Sequence, residues 1–326
     1  MEEEPNEAKR EKPKIVFMGT PDFAVPSLQA LIDSDAADVV GVVTQPDRPA
    51  GRGNKLKPPP VKVAAEAAGI PVYQPKSLRK VEATEPIREW APDLIVVTAF
   101  GQILRPHLLE LPRLGCVNVH ASLLPRWRGA APIQAAILHG DKQTGVTLMQ
   151  MDVGLDTGDM LFVEGFDLDP AETASTLHDK LAQLGYEMLL KHLPALLAGD
   201  VTPQKQDDER ATYASKIEKT DGQIDWSQSA EAIERRHRAM TPWPGSFTRW
   251  NGKNLRIHKM EMANASHLTK EAGTVAKLDG EVAVATGDGW LQLDMIQLEG
   301  KKRTHPADFI NGRPDFIGAV LEKGER

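Results

Sequence analysis

From Lys14 to about Asp167 the chain alternates short, almost continuously apolar runs with stretches of helical spacing. The runs are KIVFMG (14–19), VVGVVT (39–44), PVYQP (71–75), DLIVVTAF (93–100), GCVNVHAS (115–122) and GVTLMQMD (145–152). Several are apolar at nearly every position, the signature of strands covered on both faces. Their alternation with helices predicts an α/β fold with a doubly wound, mainly parallel sheet. In such sheets ligands bind beyond the carboxyl ends of the strands, so chemistry is expected just after each run. A helix follows, opened by Thr173 or Ser175, with Leu177, Leu181, Leu184 and Met188 on one face and Pro194 and Gly199 marking its end. VTPQKQDDERATYASK (201–216) is polar and aperiodic and reads as a linker. Beyond about Asp221 short alternating runs flank Asn251-Gly252, Asp279-Gly280 and Asp288-Gly289, a hairpin texture that predicts a small β-barrel, with one helix near Ala230–Met240. The expected division is a solvated tail (1–12), a first domain (13–200), a linker (201–220) and a second domain (221–326).

Composition fits that division. A length of 326 residues suits two cores, and 41% hydrophobic with 26% charged residues is ordinary for a soluble protein. No run approaches the roughly 18 apolar residues of a membrane span, so no membrane association is expected. The single cysteine, Cys116, cannot form an internal disulfide, and MEEEPNEAKREK has neither the apolar core of a signal peptide nor the character of a transit peptide. A reducing cytoplasm fits. The net charge of −7 argues against sequence-blind nucleic-acid binding, but it is uneven: from Ala211 onward there are 17 Lys and Arg against 16 Asp and Glu, and before it 22 against 30.

Three segments are candidates for chemistry. IVFMGTPDFAVPSLQAL (15–31) lies where a dinucleotide fingerprint would, yet Pro21 and Asp22 stand where glycines would admit a pyrophosphate. Either Thr20 or Asp22 caps a helix there, or the helix start receives an anion. TQPDRPAGRGNKLKPPPVK (44–62) interrupts the strand–helix rhythm with Arg48, Arg52, Lys55, Lys57 and Lys62, and is a candidate phosphate-binding arm or a solvated loop. In CVNVHASLLPRWRGAAPIQAAI (116–137) alternation puts Asn118 and His120 on one side of a strand near its carboxyl end, and MDVGLDTGDML (151–161) carries Asp156 and Asp159 on a turn expected near the same sheet edge. An amide, an imidazole and a carboxylate converging there suit acyl transfer to an amine. The carboxylate would hold the imidazole's tautomer, the imidazole would take the proton shed by the amine, and the amide would stabilise the oxyanion. A structural His120 and a metal site using Cys116 are the competing readings; the second lacks further ligands at usual spacing, and no metal is expected. Neither a G-x-S-x-G elbow nor a G-x-x-x-x-G-K-[ST] loop occurs.

GTPDFAVPSL, TQPDRPAGRG, NVHASLLPRWRGAAPIQAAI and MDVGLDTGDML, with DGQIDWS (221–227) and TPWPGSF (241–247), resemble the methionyl-tRNA formyltransferase family over nearly the whole chain beyond the tail. The NVH, SLLP and LDTGD elements alone would indicate only the wider folate-dependent formyltransferases; the basic insertion and the C-terminal β-domain narrow the resemblance. It implies a formyltransferase-type Rossmann-like domain with a C-terminal OB-like domain that binds the tRNA acceptor arm. It also implies 10-formyltetrahydrofolate as co-substrate, initiator methionyl-tRNA as partner, and action as a monomer. Asn118 and His120 would hold and polarise the formyl group, Asp156 would tune His120, and Ser122, Leu123, Leu124 and Pro125 would contact folate. Arg48, Arg52, Lys55 and Lys57 would contact tRNA, Arg52 foremost. Ala121 stands where the family often has Gly. Formyl transfer to a small amine, and tRNA binding without catalysis, remain as alternatives.

Overall fold

In a computed structural model the protein is described over residues 12–50, 55–264 and 270–322, and these divide into two compact units. Unit 1 takes Met1–Arg128, Thr144–Phe166 and His178–Tyr213; unit 2 takes Gly129–Gln143, Asp167–Leu177 and Ala214–Arg326. The expected tail lies almost wholly outside the described residues. No helix among the described residues is long and apolar enough to cross a membrane.

Unit 1 is built on the predicted apolar runs. They form β1 (Lys14–Gly19), β2 (Asp38–Val43), β5 (Val72–Tyr73), β6 (Leu94–Thr98), β7 (Cys116–His120) and β9 (Gln143–Gln150). Two further strands, β3 (Arg48–Ala50) and β4 (Lys55–Lys57), make a separate hairpin, and β8 (Arg128–Gly129) pairs with β11 (Tyr213–Ala214). With β10 (Met160–Asp167) the main sheet has the order β10-β9-β7-β6-β1-β2-β5. β1 runs parallel to β2 and β6, β2 to β5, and β6 to β7, while β7 and β9 are antiparallel with His120 opposite Thr147. The mainly parallel sheet is thus observed.

Ile15, Val16, Phe17 and Met18 are fully buried, as are Ile95 and Val96. Each such side chain contributes roughly 1.5–3 kcal/mol by leaving water, which is why strands covered on both faces carry no polar alternation. The helix of 174–198 starts at Thr173, whose Oγ1 accepts from the Thr176 amide at 3.2 Å, and runs through Pro194 to Ala198. Thr20 caps nothing: its hydroxyl donates to the Phe100 carbonyl and accepts from the Gln45 amide, tying the loops after β1, β2 and β6 together.

Unit 2 is organised by an antiparallel sheet of β12 (Ser246–Trp250), β13 (Lys253–Ala263), β14 (Val275–Leu278), β15 (Glu281–Ala285) and β16 (Trp290–Leu298), in the order β12-β13-β16-β15-β14. Asn251-Gly252 and Asp279-Gly280 turn two of its hairpins with all four residues at positive φ, as the type I′ geometry requires. Residues 318–322 hydrogen-bond along both sides: Glu322 exchanges two bonds with Arg249 of β12, and the Leu321 amide reaches the Gly273 carbonyl beside β14. The helix Ala230–Ala239 is capped by Ser229, whose hydroxyl accepts from the Ala232 amide. Trp250, Phe309 and Phe316 pack edge to face at 5.1–5.5 Å between centroids in the core.

Candidate active site

The carboxyl end of β7 delivers Asn118, half-buried, and His120, 5% exposed, on one side of the strand. Asp156 lies on the turn between β9 and β10. Its Oδ2 is 3.7 Å from His120 Nδ1. The other ring nitrogen, Nε2, is 3.0 Å from the Trp127 carbonyl oxygen. A carbonyl only accepts, so Nε2 carries the hydrogen and the neutral ring presents a lone pair at Nδ1. The tautomer is therefore set by a backbone carbonyl rather than by the carboxylate, which stands too far from Nδ1 for a hydrogen bond.

Both groups that address the ring come from strained backbone. Trp127 has φ +63° and Asp156 has φ +53°, left-handed conformations that cost a side-chain-bearing residue about 1–3 kcal/mol. Surrounding bonds hold them. The Trp127 amide donates to Thr212 Oγ1 at 2.9 Å, and the Arg126 guanidinium stacks 4.2 Å over the Trp127 ring. Within the Asp156 turn, Asp152 Oδ1 accepts from the Gly154 amide and from the Thr157 hydroxyl, at 2.9 and 2.7 Å, and the Gln150 amide donates to the Asp159 carbonyl at 2.8 Å. From outside it, the buried Gln206 donates its side-chain amide to the carbonyls of Asp156 and Gly158.

The loop Ser122–Pro125 follows His120 directly, with the Leu124-Pro125 peptide cis. Ser122 Oγ donates to the Arg126 carbonyl at 2.6 Å, and Thr147 Oγ1 donates to the Ser122 carbonyl while accepting from the Leu124 amide. Leu124 packs on Met149 and Met160. The Ser122 hydroxyl is thus engaged beside the loop and the Leu124 side chain against β9 and β10, and Leu123 and Pro125 are the loop's half-buried members.

The basic segment is a hairpin, with Arg48 opposite Lys57 and Ala50 opposite Lys55. Arg48, Lys55 and Lys57 are exposed, and Arg52 lies outside the described residues. Lys62 belongs to a different setting: its Nζ is 3.0 Å from Asp47 Oδ1. Hydrogen bonds from Gln74 and Lys62 hold the Asp47 carboxyl below its ordinary pKa. That pair pins the root of the hairpin, leaving the positive charge at Arg48, Lys55 and Lys57.

Cys116 shares β7, but its Sγ lies against the Leu108 carbonyl at 3.7 Å and burial pushes its pKa up to about 12. Among the described residues no group of three or more His, Cys, Asp or Glu is arranged to hold a metal ion. A cavity of about 820 Å³ lies in unit 2 between Glu218, Asp221, Arg236 and His237. Its polar groups serve local structure: Glu218 and Asp221 cap a turn reciprocally, and Arg236 pairs with Asp221 at 3.5 Å. The candidate site is taken at His120 because the imidazole and the Asp156 carboxyl meet there at the carboxyl end of a sheet strand, not on cavity size. Sequence reasoning missed Trp127, Arg128 and Gln206, whose contributions are a carbonyl and an interior hydrogen-bond chain with no periodicity to betray them.

Residues 13–193 match the family described as formyl transferase, and residues 216–314 match the formyl transferase C-terminal domain. A methionyl-tRNA formyltransferase of Geotalea uraniireducens is 50% identical over 311 residues, 95% of this chain and 98% of that one. One from Halorhodospira halophila is 52% identical over 301 residues, 92% and 96% of the two chains. Among solved structures, the N-formyltransferase of Helicobacter canadensis, in complex with folinic acid and dTDP-3-aminofucose, superposes with a TM-score of 0.63 at 19% identity, covering 90% of this chain and all of that one, a likeness of fold. With about half of its residues identical to those of such relatives along nearly their full length, the chain belongs to the methionyl-tRNA formyltransferase family.

Proposed function

We propose that the protein transfers the formyl group of 10-formyltetrahydrofolate to the α-amine of methionyl-initiator tRNA, by direct attack, as a cytoplasmic monomer. The observation that carries the reading is the polarity of His120: Nε2 is committed to the Trp127 carbonyl, and Nδ1 is left basic beside the Asp156 carboxylate. The neutral amine attacks the formyl carbon, forming the new C–N bond and a tetrahedral intermediate with charge on oxygen. The Asn118 NH₂ donates to that oxygen, and removal of one such donor typically costs about 10²–10³ in turnover. His120 Nδ1 takes the proton the amine sheds, and Asp156 faces the charge the ring then acquires. The C–N10 bond breaks as the folate nitrogen leaves and receives a proton. The amine is a competent nucleophile, so no covalent enzyme intermediate is required.

Leu123 and Pro125, half-buried beside the reacting end, are the parts of the Ser122–Pro125 loop best disposed to meet the folate. Ser122 and Leu124 shape that loop from within. Arg48, Lys55 and Lys57, with Arg52, supply charge for the tRNA phosphates. His120→Ala and Asp156→Ala are each expected to lower single-turnover formyl transfer by about 10²-fold or more, with unfolding midpoints close to the parent's. Near-normal turnover in either folded variant would overturn the assignment. Efficient formylation of a free amine in place of charged tRNA would reassign the acceptor.

A further inference from the structure

Gln206 lies 50 residues beyond Asp156 in sequence, is 4% exposed, and spends its whole side chain on one task. Its NH₂ donates to the Asp156 carbonyl at 2.9 Å and to the Gly158 carbonyl at 2.7 Å. Its Oε1 accepts from Arg128 Nε at 2.9 Å. The two ends of an amide have the same shape, but an arginine can only donate, so Arg128 dictates which end faces the turn. Arg128 is itself fixed: it is 2% exposed, its guanidinium meets Asp208 Oδ1 at 2.7 Å, and its amide donates to the Thr212 carbonyl. Burial opposes the Arg128 charge, yet the bonds to Asp208 and Tyr213 outweigh it and hold the pKa above the ordinary value.

The turn needs such a hold. Asp156 is left-handed, and returning it to an ordinary φ would rotate its carbonyl away from Gln206 and carry the carboxylate with it. The outer residues Val153 and Leu155 are 75% and 59% exposed and supply little packing. The bonds from Asp152 go to Gly154 and Thr157, on either side of Asp156.

We propose that Gln206, oriented by Arg128, is a positioning residue that keeps the Asp156 carboxylate in register with His120 Nδ1. The proposal rests on the reading of Asp156 as a partner in formyl transfer. Gln206→Glu preserves the side chain's outline and its bond to Arg128, but turns an oxygen toward both turn carbonyls. Gln206→Leu removes the donors at similar volume. With 10-formyltetrahydrofolate and charged initiator tRNA, kcat is expected to fall about 10- to 100-fold in each, the range a misplacement near 1 Å produces, while both KM values stay within about threefold. In an Asp156→Asn background, Gln206→Glu should cost less than about twofold more, because residues acting through one group are not additive. If Gln206→Leu does not fold, the isosteric Glu variant carries the test. A kcat within threefold of the parent in folded Gln206→Glu, with Asp156→Asn impaired, overturns the proposal. So do losses that multiply in the double variant, the mark of a merely structural role. Normal turnover in Asp156→Asn alone would instead sink the reading of Asp156.

Discussion

Gly158 offers a way to displace the Asp156 turn without touching a functional group. A Cβ built there would lie 1.9 Å from the Gln150 carbonyl oxygen and 3.0 Å from its carbon, whereas a close carbon–oxygen contact is about 3.3 Å, so about 1.4 Å must be found. The strand cannot supply it, because Gln150 belongs to β9 and stands opposite Val117 of β7. The turn must move outward. That weakens the Gly158 carbonyl's bond to Gln206 and the Asp159 carbonyl's bond to the Gln150 amide, two hydrogen bonds worth about 1 kcal/mol each. Displacement by more than 1 Å of a turn bearing the group 3.7 Å from His120 is expected to lower kcat about 100-fold, against about 2 kcal/mol of stability. The assay is single-turnover formyl transfer at saturating tRNA, with urea unfolding alongside. Gly312→Ala is the control, since a Cβ there meets nothing within 4 Å and the backbone φ is −100°. A Gly158→Ala protein with turnover within threefold of the parent would show that the turn's position does not govern the chemistry.

His237, buried in unit 2 with Nδ1 2.9 Å from Ser246 Oγ, has its pKa lowered from 6.5 to about 4 by burial first and then by the nearby His258 and Arg238. The unfolded chain therefore binds more protons between those values, and stability is lost as pH falls from 6.5 toward 4, by about 2 kcal/mol at pH 5 and about 3 kcal/mol in full. Unfolding free energies from urea titrations of the parent and His237→Gln should diverge by about 2 kcal/mol between pH 7 and 5, and parallel loss in both would refute the linkage. Neutralising the exposed Lys55 and Lys57 to alanine should raise KM for charged tRNA and reduce its log–log salt slope by roughly one to two, about 0.7–0.9 per phosphate contact. An unchanged slope would remove the hairpin from the tRNA interface.

The sheet was legible because both faces of its strands are covered, so β1 and β6 announce themselves as nearly unbroken apolar runs, and β7 as one broken only by Asn118 and His120. β10 did not: MLFVEGFD lies at the sheet edge with alternate residues exposed, and it follows directly on a glycine-rich turn. The hairpin β3–β4 pairs Arg48 with Lys57 and has no apolar stripe, so its composition reads as an unpacked loop. Pro194 reads as a helix stop, but it lies near the end of the helix, and buried Leu193, Leu196 and Leu197 hold the last turn regardless. Thr20, placed as a helix start would have it, is drawn instead to the Phe100 carbonyl, a partner 80 residues away that no local pattern reveals.

The proposed active site divides in the same manner. Asn118 and His120 could be found because a two-residue spacing on a strand is itself geometry. The group that sets the His120 tautomer could not, because a backbone carbonyl leaves no mark in the sequence. Trp127 and Asp156 each carry left-handed strain of about 1–3 kcal/mol, and strain of that size persists only where neighbours over-determine the conformation. Several of those neighbours come from one stretch: Gln206 takes the carbonyl of Asp156, and Thr212 takes the amide of Trp127 through its hydroxyl and that of Arg128 through its carbonyl. The polar, aperiodic residues 206–212 thus hold both groups that address the imidazole. Their lack of periodicity follows from that work, since they contribute single hydrogen bonds to particular strained residues and no repeating apolar face.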